Sequence, residues 1–331
     1  MALAPPQERL AWVDTARGIG IILVVYGHAL RGHVVSGAYD PAWRADVQDD
    51  VIYSFHMPLF FFLAGLFAQR SLTKGTAAFL RDKATTLFYP YFLWSVISIA
   101  LGMLAAGAVN NTVQTDAVRD LWQTPVYQYW FLYALLVCQL IMLVTRADWR
   151  VTVGLCAISA AFGGGSALGM VTIGFGFYVY FGLGILIAPR ISQLSFPPGR
   201  LVAAALALAG VFAATYLADS NVPLRVLIVL RAISGSAAVI ALAMLVAPRM
   251  HWLSALGMAS MAIYVLHTIF SAGLRIGLHA LGYSNNLVAL TLGTIVGLIV
   301  PFLIFLVARH HGVLPWLGLG AQPRLSRGHA T

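Results

Sequence analysis

Charge is what this sequence has least of. Only 9% of its 331 residues are Asp, Glu, Lys or Arg, against about 25% in an ordinary soluble domain. Because 60% of the residues are hydrophobic, a soluble globule built from this chain would carry a large apolar surface. That excludes a soluble fold and makes lipid the solvent for most of the chain. Cysteine is nearly missing too. Cys138 and Cys156 both lie in apolar runs, which excludes a disulfide framework or a metal knuckle and leaves them as small buried hydrophobes. His310, His311 and His329 match no metal signature, and nothing points to a metal or redox cofactor. No basic stretch leads into an apolar core ending in A-x-A. Glu8 and Asp14 precede the first apolar run, so an uncleaved membrane anchor is expected rather than a signal peptide. With no repeat of fixed period, no low-complexity linker and no attached soluble domain, residues 1–331 are expected to form one membrane domain. Residues 310–331 are expected to be a flexible cytoplasmic tail.

What is present are apolar stretches near the length of about 20 residues that spans about 30 Å of hydrocarbon. They run over 12–32, 51–69, 84–107, 128–145, 151–166, 168–188, 201–218, 225–247, 254–280 and 286–308. Only Gly163, Gly164, Gly165 and Ser166 separate the fifth from the sixth. The net charge of +9 sits in the short connections, which reads as topology rather than as a nucleic-acid surface. With the N-terminus inside, Arg9, Arg17, Arg70, Lys74, Arg81, Lys83, Arg146, Arg150, Arg190, Arg200, Arg249, Arg309, Arg324 and Arg327 fall on the inner side. Only Arg31, Arg44, Arg119 and Arg225 fall outside, and Arg231 and Arg275 lie within spans. This positive-inside bias predicts an all-α polytopic protein of about ten transmembrane helices with both termini cytoplasmic. Two outer loops, 33–50 and 108–127, are long. The first carries Asp40, Asp46, Asp49 and Asp50, either as a solvated acidic loop or as the mouth of a site for an acceptor.

Several residues in the spans carry chemistry. In RLAWVDTARGIGIILVVYGHAL, Asp14 and Arg17 are three apart and can pair on one helical face. His28 follows Arg17 by eleven residues, a turn of about 1100° that returns within about 20° of the start and rises about 16.5 Å. Arg17 and His28 therefore share a face, one near the inner surface and one inside the membrane. A histidine at that depth is costly and can exchange a proton near neutral pH. A histidine satisfied by an interhelical hydrogen bond is the competing reading. In VIYSFHMPLFFFLAGLF, His56 stands beside Pro58, which breaks the helical ladder. Bent backbone at that depth either lines a cavity or marks a packing kink. Lys74, Arg81 and Lys83 could grip phosphates presented from the cytoplasm, or simply obey topology. Trp130 and Tyr133 stand at the outer end of the fourth span, where aromatics commonly anchor the interface. In LGMASMAIYVLHTIF, Tyr264 and His267 share one face of the ninth span.

Taken in order, these segments resemble the acyltransferase 3 family of membrane-bound O-acyltransferases, over most of the chain. Arg17 and His28 fit its pattern of a basic residue, ten residues and a histidine. FHMPLFFFLAGLF resembles its second-helix motif, in the form of the branch that includes fucose 4-O-acetylase-like proteins. RDKATTLFYPY is similar to its basic loop before a Pro-Tyr helix, although Ala84 stands three residues after Arg81 where a paired arginine is commoner. YWFLYALL and LGMASMAIYVLH resemble its later motifs.

The resemblance implies a multi-pass enzyme of the bacterial cytoplasmic membrane. Such an enzyme moves an acyl group, usually acetyl from acetyl-coenzyme A, to a hydroxyl of an extracytoplasmic sugar, polysaccharide or lipid-linked saccharide. It makes His28 the catalytic histidine with Arg17, beside Asp14, as its companion, and places coenzyme A phosphates near Arg17, Arg81 and Lys83. His56, Trp130, Tyr133, Tyr264 and His267 are expected near the substrates. His28 would act as general base on the acceptor hydroxyl or as a nucleophile forming an acyl-histidine. A transporter or flippase of an acyl donor or glycolipid is the alternative, since intramembrane histidines and Pro-kinked helices suit a transport path equally. A catalytically dead assembly subunit would lack coenzyme A binding.

Overall fold

The computed structural model describes residues 10–37, 44–104, 116–163, 170–193, 196–218, 222–283 and 285–320. Among them there is no β-strand. The helices are α1 (Ala11–Val35), α2 (Ala45–Leu72), α3 (Thr76–Lys83), α4 (Tyr89–Leu104), α5 (Asp116–Asp120), α6 (Trp130–Thr145) and α7 (Trp149–Phe162). They continue as α8 (Met170–Gly176), α9 (Tyr178–Ile187), α10 (Pro198–Ala214), α11 (Leu224–Val246), α12 (His251–Met258), α13 (Ser260–Ala280) and α14 (Asn286–His310). Seven helical stretches of the described residues are long and apolar enough to cross a membrane: Ala11–Val35, Ala45–Leu72, Thr76–Leu104, Tyr127–Thr145, Leu224–Val246, Ser260–Ala280 and Asn286–His310. Three shorter apolar helices, Trp149–Phe162, Tyr178–Ile191 and Pro198–Ala214, occupy the other three expected stretches. The chain is an all-α, polytopic membrane protein. Glu8, Arg9, Asp40, Gly164, Gly165, Ser166, Arg324, Arg327 and His329 lie outside the described residues.

Local chemistry explains where the helices depart from uniform spans. Pro90 has no N–H and its ring crowds the carbonyl four residues back. The preceding turn, Ala84–Phe88, is accordingly wound as a π-helix, and the Tyr89 N–H donates to the Ala84 carbonyl in a wider i→i+5 bond. The expected span 254–280 is broken at Ala259 into α12 and α13. α7 stops at Gly163, which leaves the helix in an extended conformation.

Helices in lipid gain little from the hydrophobic effect and associate by close packing of small residues. Two crossings show this. A methyl on Gly18 would overlap the Leu253 carbonyl, and one on Gly257 would overlap that of Asp14, so the backbones of α1 and α12 touch. Gly65 and Gly184 abut the carbonyls of Phe181 and Phe62 in the same way where α2 crosses α9. α1 also packs on α2, α11, α13 and α14. The helix that carries Arg17 and His28 is thus held on several sides, while Leu104, Val144, Leu206 and Leu217 are exposed, as lipid-facing side chains are.

The expected tail is corrected by the structure up to residue 320. α14 ends at His310, and the chain turns at Gly312, whose φ is +72°. It then returns to α4, where the Tyr89 hydroxyl donates to the Trp316 carbonyl at 2.6 Å and the Trp94 indole N–H to the Leu317 carbonyl at 3.0 Å. Leu314 and Leu319 are buried. Burial of these two leucines, together with hydrogen bonds to otherwise orphaned carbonyls, orders the segment. Residues 321–331 lie outside the described residues.

Candidate active site

The expected face of α1 lines a cavity of about 450 Å³. Arg17, Ile21 and Val24 project into it from α1, and Met57, Phe60 and Ala64 from α2. Phe131 and Leu135 of α6, Met261 and Tyr264 of α13, Phe305 and Arg309 of α14, and Leu319 and Gly320 of the returning segment are further parts of its wall. Two guanidinium groups, Arg17 and Arg309, therefore stand at one end of an otherwise mostly apolar cleft. Asp14 is buried and lies 3.5 Å from Arg17. The guanidinium of Arg17 also lies 5.9 Å from the centre of the Phe67 ring. At the other end are Val24 and Tyr264. His28 is one turn beyond Val24 on α1, and His267 is three residues beyond Tyr264 on α13; neither histidine lines the cavity itself.

Around His28 the structure gathers a chain of rings. The Tyr53 hydroxyl is 3.2 Å from Nε2 of His28. The His28 and His267 ring centres are 5.1 Å apart and tilted by 58°. Tyr53 meets His56 edge-on at 4.5 Å. His56 and His267 are both buried. Nδ1 of His56 is 2.6 Å from the Ile52 carbonyl, and Nδ1 of His267 is 3.0 and 2.8 Å from the carbonyls of Ile263 and Tyr264. A carbonyl can only accept, so each Nδ1 carries a proton, and in the neutral ring each Nε2 is left as an acceptor. Neither Nε2 has a hydrogen-bond partner.

Charge is clamped beside this chain. Arg31 donates to both carboxylate oxygens of Asp49, at 2.6 and 2.8 Å, in the fork geometry that fixes a guanidinium. Its guanidinium carbon lies 3.2 Å from the centre of the Tyr53 ring, where a cation is attracted to the π face. Arg231, read from sequence only as an arginine within a span, pairs with Asp50 at 3.7 Å, donates to Thr215 and covers Tyr216.

The other residues singled out from sequence are dispersed. Tyr264 lines the cavity, with its hydroxyl bonded to the Gln128 carbonyl. Arg81 is exposed, and Lys83 pairs with Asp82 at 2.9 Å and covers Phe79; neither lines the cavity. Trp130 packs on Phe177 at 5.3 Å, and Tyr133 donates to the Trp122 carbonyl at 3.2 Å, so both brace α6 rather than face the cleft. Four residues escaped the sequence reading. Arg309 was absorbed into the inner-side positive charge. Tyr53 lies three residues before His56, a spacing that puts the two on one helical face and could have drawn attention to it. Leu319 and Gly320 lay in what read as a tail. Among the described residues, no group of three His, Cys, Asp or Glu side chains could hold a metal ion.

A family profile for an acyltransferase domain matches residues 10–306. Two curated relatives, each named Nodulation protein NolL, are similar in part. The protein from Mesorhizobium japonicum is 28% identical over 152 residues, 44% of this chain and 39% of that protein. The protein from Sinorhizobium fredii is 36% identical over 126 residues, 37% of this chain and 33% of that protein. The matched stretches thus span well under half of either relative. No solved structure gives a significant match.

Proposed function

The chain belongs to the acyltransferase domain family, a family of membrane O-acyltransferases, and from that premise we propose a specific reaction. The protein takes an acyl group, acetyl in the first instance, from acyl-coenzyme A on the cytoplasmic side of the bacterial inner membrane. It delivers the group to a hydroxyl of an extracytoplasmic sugar, polysaccharide precursor or lipid-linked saccharide. The observation that carries this reading is the cleft itself. It is lined by two arginines, Arg17 and Arg309, and by a mostly apolar wall that includes Val24, one turn before His28 on α1. Phosphates are anions that guanidinium groups bind bidentately, so Arg17 and Arg309 receive the nucleotide end of the donor. The apolar wall accepts its slender arm, and the roughly 16.5 Å rise from Arg17 to His28 sets the reach of the thioester.

In this scheme His28 is the general base. As the acceptor oxygen attacks the thioester carbon, its proton passes to the imidazole and the carbon–sulfur bond breaks. The coenzyme A sulfur leaves as a thiolate and takes up the proton that His28 releases. Arg81 and Lys83 are not among the residues that line the cleft. The test is thiol release from acetyl-coenzyme A by purified protein over a panel of sugars. Release that requires both a sugar and His28 supports the scheme. Full release by the His28→Ala protein overturns it.

A further inference from the structure

Resting on His28 as the base, we propose that Arg275 binds an anionic group of the acceptor, so that the acylated molecule is an acidic saccharide with a carboxylate or phosphate close to the reacting hydroxyl. Arg275 lies on α13 and is partly buried. Its Nε stands 3.6 Å from the point that a Cβ on Gly32 of α1 would occupy. The guanidinium is therefore turned into the contact between α1 and α13 rather than out to lipid. Gly32 follows His28 by four residues on α1. Residues at that spacing share a helical face and stand about 6 Å apart along the axis. Along α1 the order is Arg17, His28, Gly32. α13 runs the same way, from Ser260 and Met261 in the cleft wall to Arg275 beside Gly32. His28 thus stands between the cation assigned to the donor and the cation over Gly32.

Charge balance sets Arg275 apart from its neighbours. A guanidinium carries a fixed positive charge and five N–H donors. Arg31 is clamped to Asp49, and Arg231 pairs with Asp50. Among the described residues no carboxylate lies within salt-bridge reach of Arg275, and no acceptor takes its N–H groups. A cation within a membrane span is costly and ordinarily faces a partner or a substrate path. Carboxylate and phosphate fit a guanidinium in the same fork that joins Arg31 to Asp49. The donor's phosphates are assigned to Arg17 and Arg309, so an anion at Arg275 belongs to the other substrate. An acceptor held there presents a hydroxyl to His28 from the side opposite Arg17. Gly32 keeps the approach clear, because a larger side chain at that position would grow into the guanidinium.

Binding tests this without catalysis. The probes are oligosaccharides of glucuronic acid and of glucose, matched in linkage and length, titrated into the purified full chain in detergent. The proposal expects wild type to bind the acidic chain at least about 10-fold more tightly, the effect of one charged hydrogen bond. Arg275→Gln should remove that preference and leave the Kd for acetyl-coenzyme A unchanged. Arg275→Lys keeps the charge without the fork and should retain part of it. Equal affinity of wild type for the two chains, or a preference that survives in Arg275→Gln, overturns the proposal. A lipid phosphate as the partner gives another pattern. Arg275→Gln then loses the thermal stabilisation by phosphatidylglycerol over phosphatidylcholine and leaves the saccharide affinities untouched, which also overturns the proposal. Should Arg275→Gln not fold, Gly32→Leu crowds the same guanidinium and should weaken the same preference; an unchanged preference sinks the idea. His28→Ala separates the two levels. Transfer activity kept by that variant fails the base assignment. Loss of transfer there, with wild type blind to the acid groups, fails only the role of Arg275.

Discussion

The crossing of α1 and α12 offers a sharp test of what positions His28. At Gly257 an added methyl falls inside the Asp14 carbonyl of α1, well short of the 3.4 Å at which ordinary contact begins. Neither atom can yield alone, because one is helix backbone and the other is anchored to it. Gly257→Ala therefore forces the two helices apart by about 1 Å or more, a displacement that can cost about 100-fold in rate. Overpacking of this kind costs about 1–3 kcal/mol of stability. Gly154, on an exposed face of α7 with no atom within 4 Å of an added methyl, is the control. There Gly154→Ala removes a helix-weakening glycine and gains about 0.5–1 kcal/mol. Thermal unfolding in detergent and thiol release from acetyl-coenzyme A read both effects. Wild-type stability and kcat in Gly257→Ala would refute the claim that this contact sets the register of the catalytic helix.

Three further outcomes follow from the cleft. Arg17→Ala and Arg309→Ala each remove a cation from its charged end and raise the dissociation constant for acetyl-coenzyme A by about 10-fold or more, since charged hydrogen bonds contribute about 1.5–3 kcal/mol. Calorimetric titration should find Arg81→Ala much nearer wild type, and equal losses in all three would place the phosphates elsewhere. Ala64→Phe projects a ring into the 450 Å³ bore and should abolish donor binding without lowering the melting temperature, because the ring fills a void; unchanged binding would mean the donor does not use this cleft. Tyr53→Phe removes the hydroxyl that engages His28 and should lower kcat while leaving donor affinity intact, whereas a change in affinity alone would assign Tyr53 to the donor site.

The chemical periodicity of α1 made half of this site readable in advance. Asp14, Arg17 and His28 lie on a continuous helix, where spacing converts directly into direction, and the structure keeps Arg17 and His28 on the expected face. The apolar stretches were legible for a similar reason, since hydrocarbon demands length and composition and little else. Arg309 was not, because 292 positions separate it from Arg17 in the sequence and no local rule pairs them. The tight glycine crossings were equally hidden. Gly18 and Gly257 look like ordinary glycines until the partner backbone is in place. The returning segment around Leu314 and Leu319 reads as a flexible tail because its order depends on α4, through Tyr89 and Trp94. Arg81 and Lys83, which motif likeness places near the donor, are not among the residues that line the cavity, and Lys83 pairs with Asp82.

Sealed proteoliposomes carrying the protein in one orientation test the central claim most directly. Acetyl-labelled coenzyme A is supplied on the face that exposes Arg17 and Arg309, and the acceptor sugar is enclosed on the other. The account predicts labelled sugar inside with wild-type protein and none with His28→Ala. Labelled sugar formed by the His28→Ala protein, or intact labelled donor accumulating inside without product, would contradict it.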